Sequence, residues 1–456
     1  MFSGRRSRAA IAIAMAVALL GSSACSQRDD DEDTESGGAE STGGGGGEEA
    51  SIPTEDCVTD PTTPIEGDTI RLVSSYPQSG LTAAFAEIAR GWQSYFEMVN
   101  ADGGVEIAGE SYQIEYDARD DEYNAANTAQ NIEELVGTDG EDAFAVFSVV
   151  GTANNVAIRD QLNELCVPNV FAATGSPQWG NADYPWMIGS TLAPYTLEGE
   201  MFARVLEEED PDATVALLLQ DDDFGDAYLE GFEQAIEGTD ITIVEEQRYA
   251  TGASEVAAQV TSLASSGATA FFNGGTLLAC PDALSQAASN NWEPITWVSS
   301  TCTSDTLMGL AGENADGVYS VTNLKDPLNP EWADDEALTE YLATVDEYQP
   351  DAEPERNAIV GYGWTQGALF VQALEAAEEP TRLAVMESIR NLDGISGGTL
   401  LPGITVTTNG EEDPYMGESL NLMQYSASDG HFSLVGDVVD FEGQALEFTP
   451  EDLVAA

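Results

Sequence analysis

Residues 69–104 read TIRLVSSYPQSGLTAAFAEIARGWQSYFEMVNADGG, and this stretch sets the pattern for most of the chain. The apolar run Ile70–Val73 has the length and character of a buried strand. After a loop of Ser, Pro and Gly, the residues Phe85, Ile88, Trp92, Phe96 and Val99 recur every three or four positions, which predicts a helix over Leu81–Asn100. Ala101-Asp102-Gly103-Gly104 stops that helix, because glycine adopts the left-handed backbone of a helix end without strain.

The same alternation continues outward. Strands are predicted at Tyr112–Asp117, Ala143–Val150, Asn169–Ala172, Thr214–Leu219, Ile241–Gln247, Ala270–Asn273 and Ile295–Ser299. Helices are predicted between them at 125–136, 155–165, 197–208, 226–236, 255–265 and 282–290. Strands alternating with helices of this length give parallel sheets with helices on both faces. So many strands exceed one comfortable sheet, and a second series begins near Leu192. The expected fold is therefore α/β, with two doubly wound parallel-sheet lobes.

In such sheets ligands bind beyond the carboxyl ends of the strands. The candidate loops are 74–82, 150–154, 172–179, 220–225, 273–280 and 299–305. They are rich in Gly, Ser, Thr and aromatic residues, which supply close backbone amides, hydroxyls and rigid apolar walls.

Composition narrows the function. The 456 residues carry 14 Lys+Arg against 82 Asp+Glu, a formal charge of −68. Phosphate neutralisation needs basic side chains, so nucleic acid is excluded as a partner. The only lysine, Lys325, and the only histidine, His431, leave little for Schiff-base, Walker-type or zinc chemistry. No metal or cofactor is expected. Most of the acidity belongs to residues 57–456, where self-repulsion is relieved by salt, as a high-salt habitat would require.

The N-terminus has the order of an export signal, residues 1–24. Arg5-Arg6-Ser7-Arg8 precedes the apolar run Ala9–Leu20, then the small residues Gly21-Ser22-Ser23-Ala24, then Cys25. The apolar run is too short to span a bilayer. Its end is similar to a bacterial lipoprotein signal, in which the cysteine carries the lipid. Residues 25–64 hold Asp29-Asp30-Asp31-Glu32-Asp33 and Gly43–Gly47, a composition expected to form a disordered tether. The four remaining cysteines, Cys57, Cys166, Cys280 and Cys302, suggest two disulfides with three possible pairings. Cys57 and Cys166 precede predicted strands, whereas Cys280 and Cys302 follow them, so the expected pairs are Cys57–Cys166 and Cys280–Cys302.

Several short motifs occur in a telling order: Tyr76-Pro77-Gln78-Ser79-Gly80, Asn100–Gly104, Asp120-Asp121, Gly151-Thr152 and Ala172-Ala173-Thr174-Gly175, then Asp221-Asp222-Asp223-Phe224-Gly225 and Tyr249–Gly252. With them, residues 68–445 resemble the branched-chain amino acid class of ABC-transporter extracytoplasmic solute-binding proteins, which share the type I periplasmic binding fold. The resemblance implies three crossovers, near Ser190–Pro194, Ser320–Lys325 and Pro402–Val406. Lobe one would comprise 65–191 and 325–403, and lobe two 192–324 and 404–456. It also implies a ligand carboxylate held by the hydroxyls of Thr152 and Thr174 with the backbone of Gly151, Ala172, Ala173 and Gly175. Phe85 or Tyr76 would cover the ligand, with Tyr195, Phe224, Thr276 and Ser300 completing the cleft. Ser300 and Thr301 stand near where amino acid binders place a carboxylate for the α-ammonium, so an amino acid ligand would need Asp222 or Asp223 to reach in.

The function so implied is capture of a small organic solute (amino acid, amide or related carboxylate) by a monomer, lipid-anchored through Cys25 outside the cytoplasmic membrane. The solute would pass to ABC permease subunits. A sensor passing ligand state to a membrane receptor is the alternative. A hydrolase reading rests on Gly394-Ile395-Ser396-Gly397-Gly398 with Asp413 or Asp429 and His431. That elbow needs a strand before the serine and a helix after it. Here a helix is predicted before, at 381–392, and an extended segment after, at 399–407.

Overall fold

Residues 52–354, 358–410 and 413–445 are described in a computed structural model. The chain opens with β1 (Thr69–Tyr76), α1 (Ala86–Ala101), β2 (Val105–Ile107), β3 (Glu110–Asp120), α2 (Ala125–Val136) and β4 (Ala145–Phe147). There follow α3 (Thr152–Leu165), β5 (Asn169–Ala172) and β6 (Met187–Gly189). A second series runs α4 (Tyr195–Glu209), β7 (Thr214–Gln220), α5 (Asp223–Ala235), β8 (Thr242–Tyr249), α6 (Ala257–Ser265) and β9 (Ala270–Gly274). It continues with α7 (Ala279–Ser289), β10 (Ile295–Val298), α8 (Asp305–Ala311) and β11 (Tyr319–Thr322). Then come α9 (Glu336–Tyr348), α10 (Ala358–Ala376), α11 (Arg382–Ile389), β12 (Ser419–Ser426) and β13 (His431–Asp440).

These strands form two sheets. One has the order β2-β3-β1-β4-β5-β6, the other β13-β12-β11-β10-β9-β7-β8. Pairing is parallel except for β2 on β3, β12 on β11 and β13 on β12. Strand order reverses between β1 and β4 in the first sheet and between β7 and β9 in the second, and such reversals open a crevice at the carboxyl edge. The chain leaves the first sheet after β6, leaves the second after β11, and returns to it at β12.

Differences from the sequence reading have local causes. α1 begins at Ala86 rather than Leu81, because Gly80, at φ +81°, turns the chain into a 3₁₀ turn at Ala83–Phe85 first. α3 begins at Thr152 rather than Asn155, since Gly151 at φ 102° turns the chain straight from the first sheet into the helix. The segment 399–407, expected to be extended, forms turns with single bridges at Leu324–Leu400 and Ile395–Val406. α10 is apolar on every side, so it lacks the polar stripe that marks a surface helix.

Residues 1–51, which hold the expected signal, Cys25 and most of the expected tether, lie outside the described residues. From 52 to 64, also expected in the tether, the chain packs on the first lobe. Ile52 is buried, Ile65 N donates to Pro380 O at 2.9 Å, and Arg382 reaches Thr59 Oγ1 at 3.1 Å. A disulfide joins Cys57 to Cys166, with Cα atoms 5.4 Å apart. A second joins Cys280 to Cys302, at 6.2 Å.

α1 and α10 touch backbone to backbone through a reciprocal pair of glycines. A methyl on Gly91 would lie 2.1 Å from Val360 O, and one on Gly363 would lie 1.9 Å from Ile88 O. Gly363→Ala must therefore push the helices apart, with an expected loss of about 1–3 kcal/mol read by urea denaturation. An unchanged midpoint would show that the helices separate freely.

Candidate ligand-binding site

Loops from both carboxyl edges and from the connecting segments enclose a cavity of about 100 Å³. At roughly 10–15 Å³ per water-sized sphere, that suits a solute of about eight heavy atoms. The first lobe contributes Phe85, Ile88, Val150, Gly151 and Ala173; the second contributes Phe224, Thr276, Ser300, Thr301 and Thr303. The connections add Leu192, Ala193, Tyr195, Asn323 and Leu324, and α10 adds Tyr362. The described lining contains no Asp, Glu, Lys, Arg or His.

The wall from the first lobe holds Gly151, and the first turn of α3 begins directly behind it. Gly151 is the N-cap of α3 and has no side chain to cap it, so the first N–H groups of the helix lack a side-chain acceptor. Thr152 and Thr174 do not line the cavity. Their hydroxyls bond each other at 2.7 Å one layer behind it, and Tyr195 N donates to Gly175 O at 2.9 Å beside them. Tyr76 ends β1 on the face turned toward α1, edge-on to Trp92 at 6.4 Å, so Phe85 rather than Tyr76 is the aromatic cover. Ala172 packs against Trp179 and Met187, and Gly175 backs closely onto Ala193 O and the Tyr195 ring. Of the residues expected to bind, Phe85, Gly151, Ala173, Tyr195, Phe224, Thr276 and Ser300 are the ones at the cavity.

The second lobe presents hydroxyls. Asp222 does not reach in, nor does Asp223 line the cavity. Asp222 caps α5 through Phe224 N at 3.2 Å and accepts from Gln220 Nε2 at 2.7 Å and Thr251 Oγ1 at 2.9 Å; burial raises its pKa. Behind Ser300 lies Glu198, fully buried. It accepts from Ser300 Oγ at 2.6 Å, Ser300 N at 3.0 Å, Tyr228 Oη at 2.8 Å and Trp297 Nε1 at 3.4 Å. Burial pushes its carboxyl up to about 7 against these donors.

Sequence reasoning missed Tyr123 and Tyr362. Tyr123, at φ 60° just before Asn124, the N-cap of α2, lines the cavity, lies 5.6 Å from the Phe85 ring and stands near Gln220 and Asp222 of the second lobe. An aromatic between Asp121 and a helix cap was the available signal. Tyr362 bonds Ser190 at the first connection, a contact only tertiary structure shows.

The serine-hydrolase geometry is not formed. Ser396 follows α11, and the turns at 399–407 follow it where an elbow needs a helix; His431 opens β13 in the other sheet. A metal-like group of carboxylates, Asp413, Glu418 and Glu442, has oxygens within 4.8 Å of one another away from the cavity. Glu418 accepts from Ala445 N at 3.0 Å and Gly443 N at 3.2 Å, while burial and Asp413 raise its pKa.

The two sheets and the crevice between them define a class of two-lobed binding proteins. The periplasmic binding protein family matches residues 69–430, and the chain belongs to it. A substrate-binding periplasmic protein from Ralstonia solanacearum is 21% identical, with a TM-score of 0.70 over 80% of this chain and 100% of its own. A branched-chain amino acid ABC transporter protein from Thermus thermophilus with bound valine is 18% identical, TM-score 0.71, over 82% and 97%. A fatty acid ABC transporter substrate-binding protein from Thermomonospora curvata is 16% identical, TM-score 0.70, over 83% and 94%. At these identities the likeness establishes the fold. Both family and neighbours are substrate-binding proteins.

A carboxyl held above its unfolded pKa stabilises the fold at low pH, and that contribution is lost as pH rises through the folded value. Glu418→Gln should therefore gain stability relative to the parent between pH 5 and pH 8, by on the order of 1–3 kcal/mol in chemical denaturation. A parallel pH profile for parent and variant would contradict this.

Proposed function

We propose that the protein captures a small organic solute outside the cytoplasmic membrane and delivers it to an ABC importer by closure of its two lobes. The observation that carries this reading is the uncharged, largely apolar cavity walled by both sheets. Lobe one is assigned to 65–191 and 325–403, lobe two to 192–324 and 404–456, with the hinge at the three connections. A lipid on Cys25 would hold a monomer near its permease.

The solute presents an acceptor, such as a carboxylate, toward the N-terminus of α3 behind Gly151, and an apolar side to Phe85, Ile88 and Phe224. Amino acids, amides and related carboxylates of about the size of valine fit this description. The Tyr123 hydroxyl, set near Gln220 and Asp222 across the cleft, serves as a latch for the closed form, which the permease then reads. No covalent step is needed.

Thermal-shift measurements with L-valine, L-leucine, their amides and short carboxylates should show stabilisation by one of these groups. Stabilisation by none would refute the reading. Phe224→Ala should weaken binding of the stabilising solute by roughly 10-fold or more, since burial of an aromatic wall contributes about 1.5–3 kcal/mol. Tyr123→Phe should shift the unliganded protein toward the open form. Small-angle scattering would register that as a larger radius of gyration, and an unchanged radius would exclude the latch.

A further inference from the structure

The hydrogen bonds behind the second lobe's wall run in one direction. Trp297 Nε1 and Ser300 N can only donate, so Glu198 Oε2 accepts from both. Glu198 Oε1 then takes the hydroxyl hydrogens of Ser300 and Tyr228. With its hydrogen given to Glu198, Tyr228 Oη is the acceptor for Ser299 Oγ at 2.7 Å. Ser299 Oγ in turn accepts from Thr301 Oγ1 at 2.9 Å and Thr301 N at 3.2 Å. The other partners of Thr301 Oγ1, Gly275 O at 3.3 Å and the disulfide sulfur of Cys302 at 3.9 Å, belong to residues that do not line the cavity. Thr303 Oγ1 likewise donates to Ser300 O at 2.8 Å.

Once ionised, the buried Glu198 carboxylate thus orders the hydroxyls of Ser300, Tyr228, Ser299 and Thr301, and such chains strengthen bond by bond. Ser300, Thr301 and Thr303 line the cavity with their hydrogens turned away from it, leaving lone pairs facing the solute. The described partners of Glu198 are all neutral donors, so its charge is not balanced by a side-chain cation.

We propose that Glu198 is a positioning residue that sets solute preference: through Ser300 and Thr301 it makes the second lobe's wall an acceptor surface for an ammonium on the solute. This rests on the reading of the cavity as a solute site and names the group that site selects. The carboxylate that an ammonium requires stands one hydroxyl behind the wall, not in it. The two sides are then complementary, the N-terminus of α3 behind Gly151 on one and acceptors at Ser300–Thr303 on the other, and the solute that spans them is a small apolar molecule with carboxylate and ammonium together.

The test compares L-leucine with 4-methylpentanoate, which has the same chain and carboxylate but no nitrogen. Calorimetry on the parent should give L-leucine a preference of about 10-fold or more, as expected for a charge-assisted contact. Glu198→Gln keeps the shape, but its amide nitrogen must donate, turning the Ser300 hydrogen toward the cavity. The preference should fall to about threefold or less, with 4-methylpentanoate bound as well as before or better. Equal weakening of both ligands would reduce Glu198 to a structural role and overturn the proposal, as would absence of preference in the parent. If neither ligand binds the parent, the reading of the cavity fails and the proposal with it; binding of both with an unchanged ratio in the variant overturns the proposal alone. Circular dichroism melting verifies folding. Should Glu198→Gln not fold, Ser300→Ala removes only the relay, and retention of the preference there would be equally decisive.

Discussion

A parallel strand buried on both faces leaves one place where side chains from several strands can meet without filling a core, the edge at its carboxyl end. Each sheet here is clad by helices, so the loops after β1, β4, β5, β7, β9 and β10 are its free chemistry. Facing two such edges across three connections forces a cleft. The cavity is what remains when those loops come together, and the crossing segments at Leu192–Tyr195 and Asn323–Leu324 close its side. The glycine contact between α1 and α10 holds the first sheet's cladding at the distance this arrangement needs.

The absence of charged side chains from the described lining does not make the cavity electrically neutral ground. The N-terminus of α3 behind one wall and hydroxyl lone pairs at the other give it opposite polarity at its two sides. Holding a carboxylate such as Glu198 one bond deeper meets its cost with four donors and lets the wall itself stay small and neutral. The −68 formal charge acts on another scale. Spread over the surface, it is screened within about 10 Å at 0.1 M salt, whereas the oriented groups inside the cleft are sheltered from ions.

What the sequence made legible followed from periodicity. β1 and α1 differ in period by nearly a factor of two, and glycines bound them, so alternation and fold class could be read directly. α10 was invisible because buried residues such as Val360, Trp364, Leu369 and Phe370 leave no contrast between faces. β13 was missed for the opposite reason, with most of its residues exposed. Loop position was enough to place Gly151, Ala173, Phe224 and Ser300 at the cavity. It failed for Tyr76, where one step along a strand reverses the face, and for Thr152 and Thr174, whose hydroxyls satisfy each other. Glu198 looked like any acid on a helix. Its meaning depends on Tyr228, Trp297 and Ser300, which come from three other elements.

The bond between Cys280 and Cys302 ties the start of α7, which follows the Thr276 loop, to the 3₁₀ turn that carries Ser300 and Thr301. Most of the acceptor wall is thereby stapled into one piece, as the oxidising space beyond the cytoplasm permits, before any solute arrives. The entropy of ordering those loops is spent at maturation rather than at each encounter. In the proposed cycle of capture and release, that leaves the motion of whole lobes as the variable a solute would control. The recognition surface itself is carried unchanged from one cycle to the next.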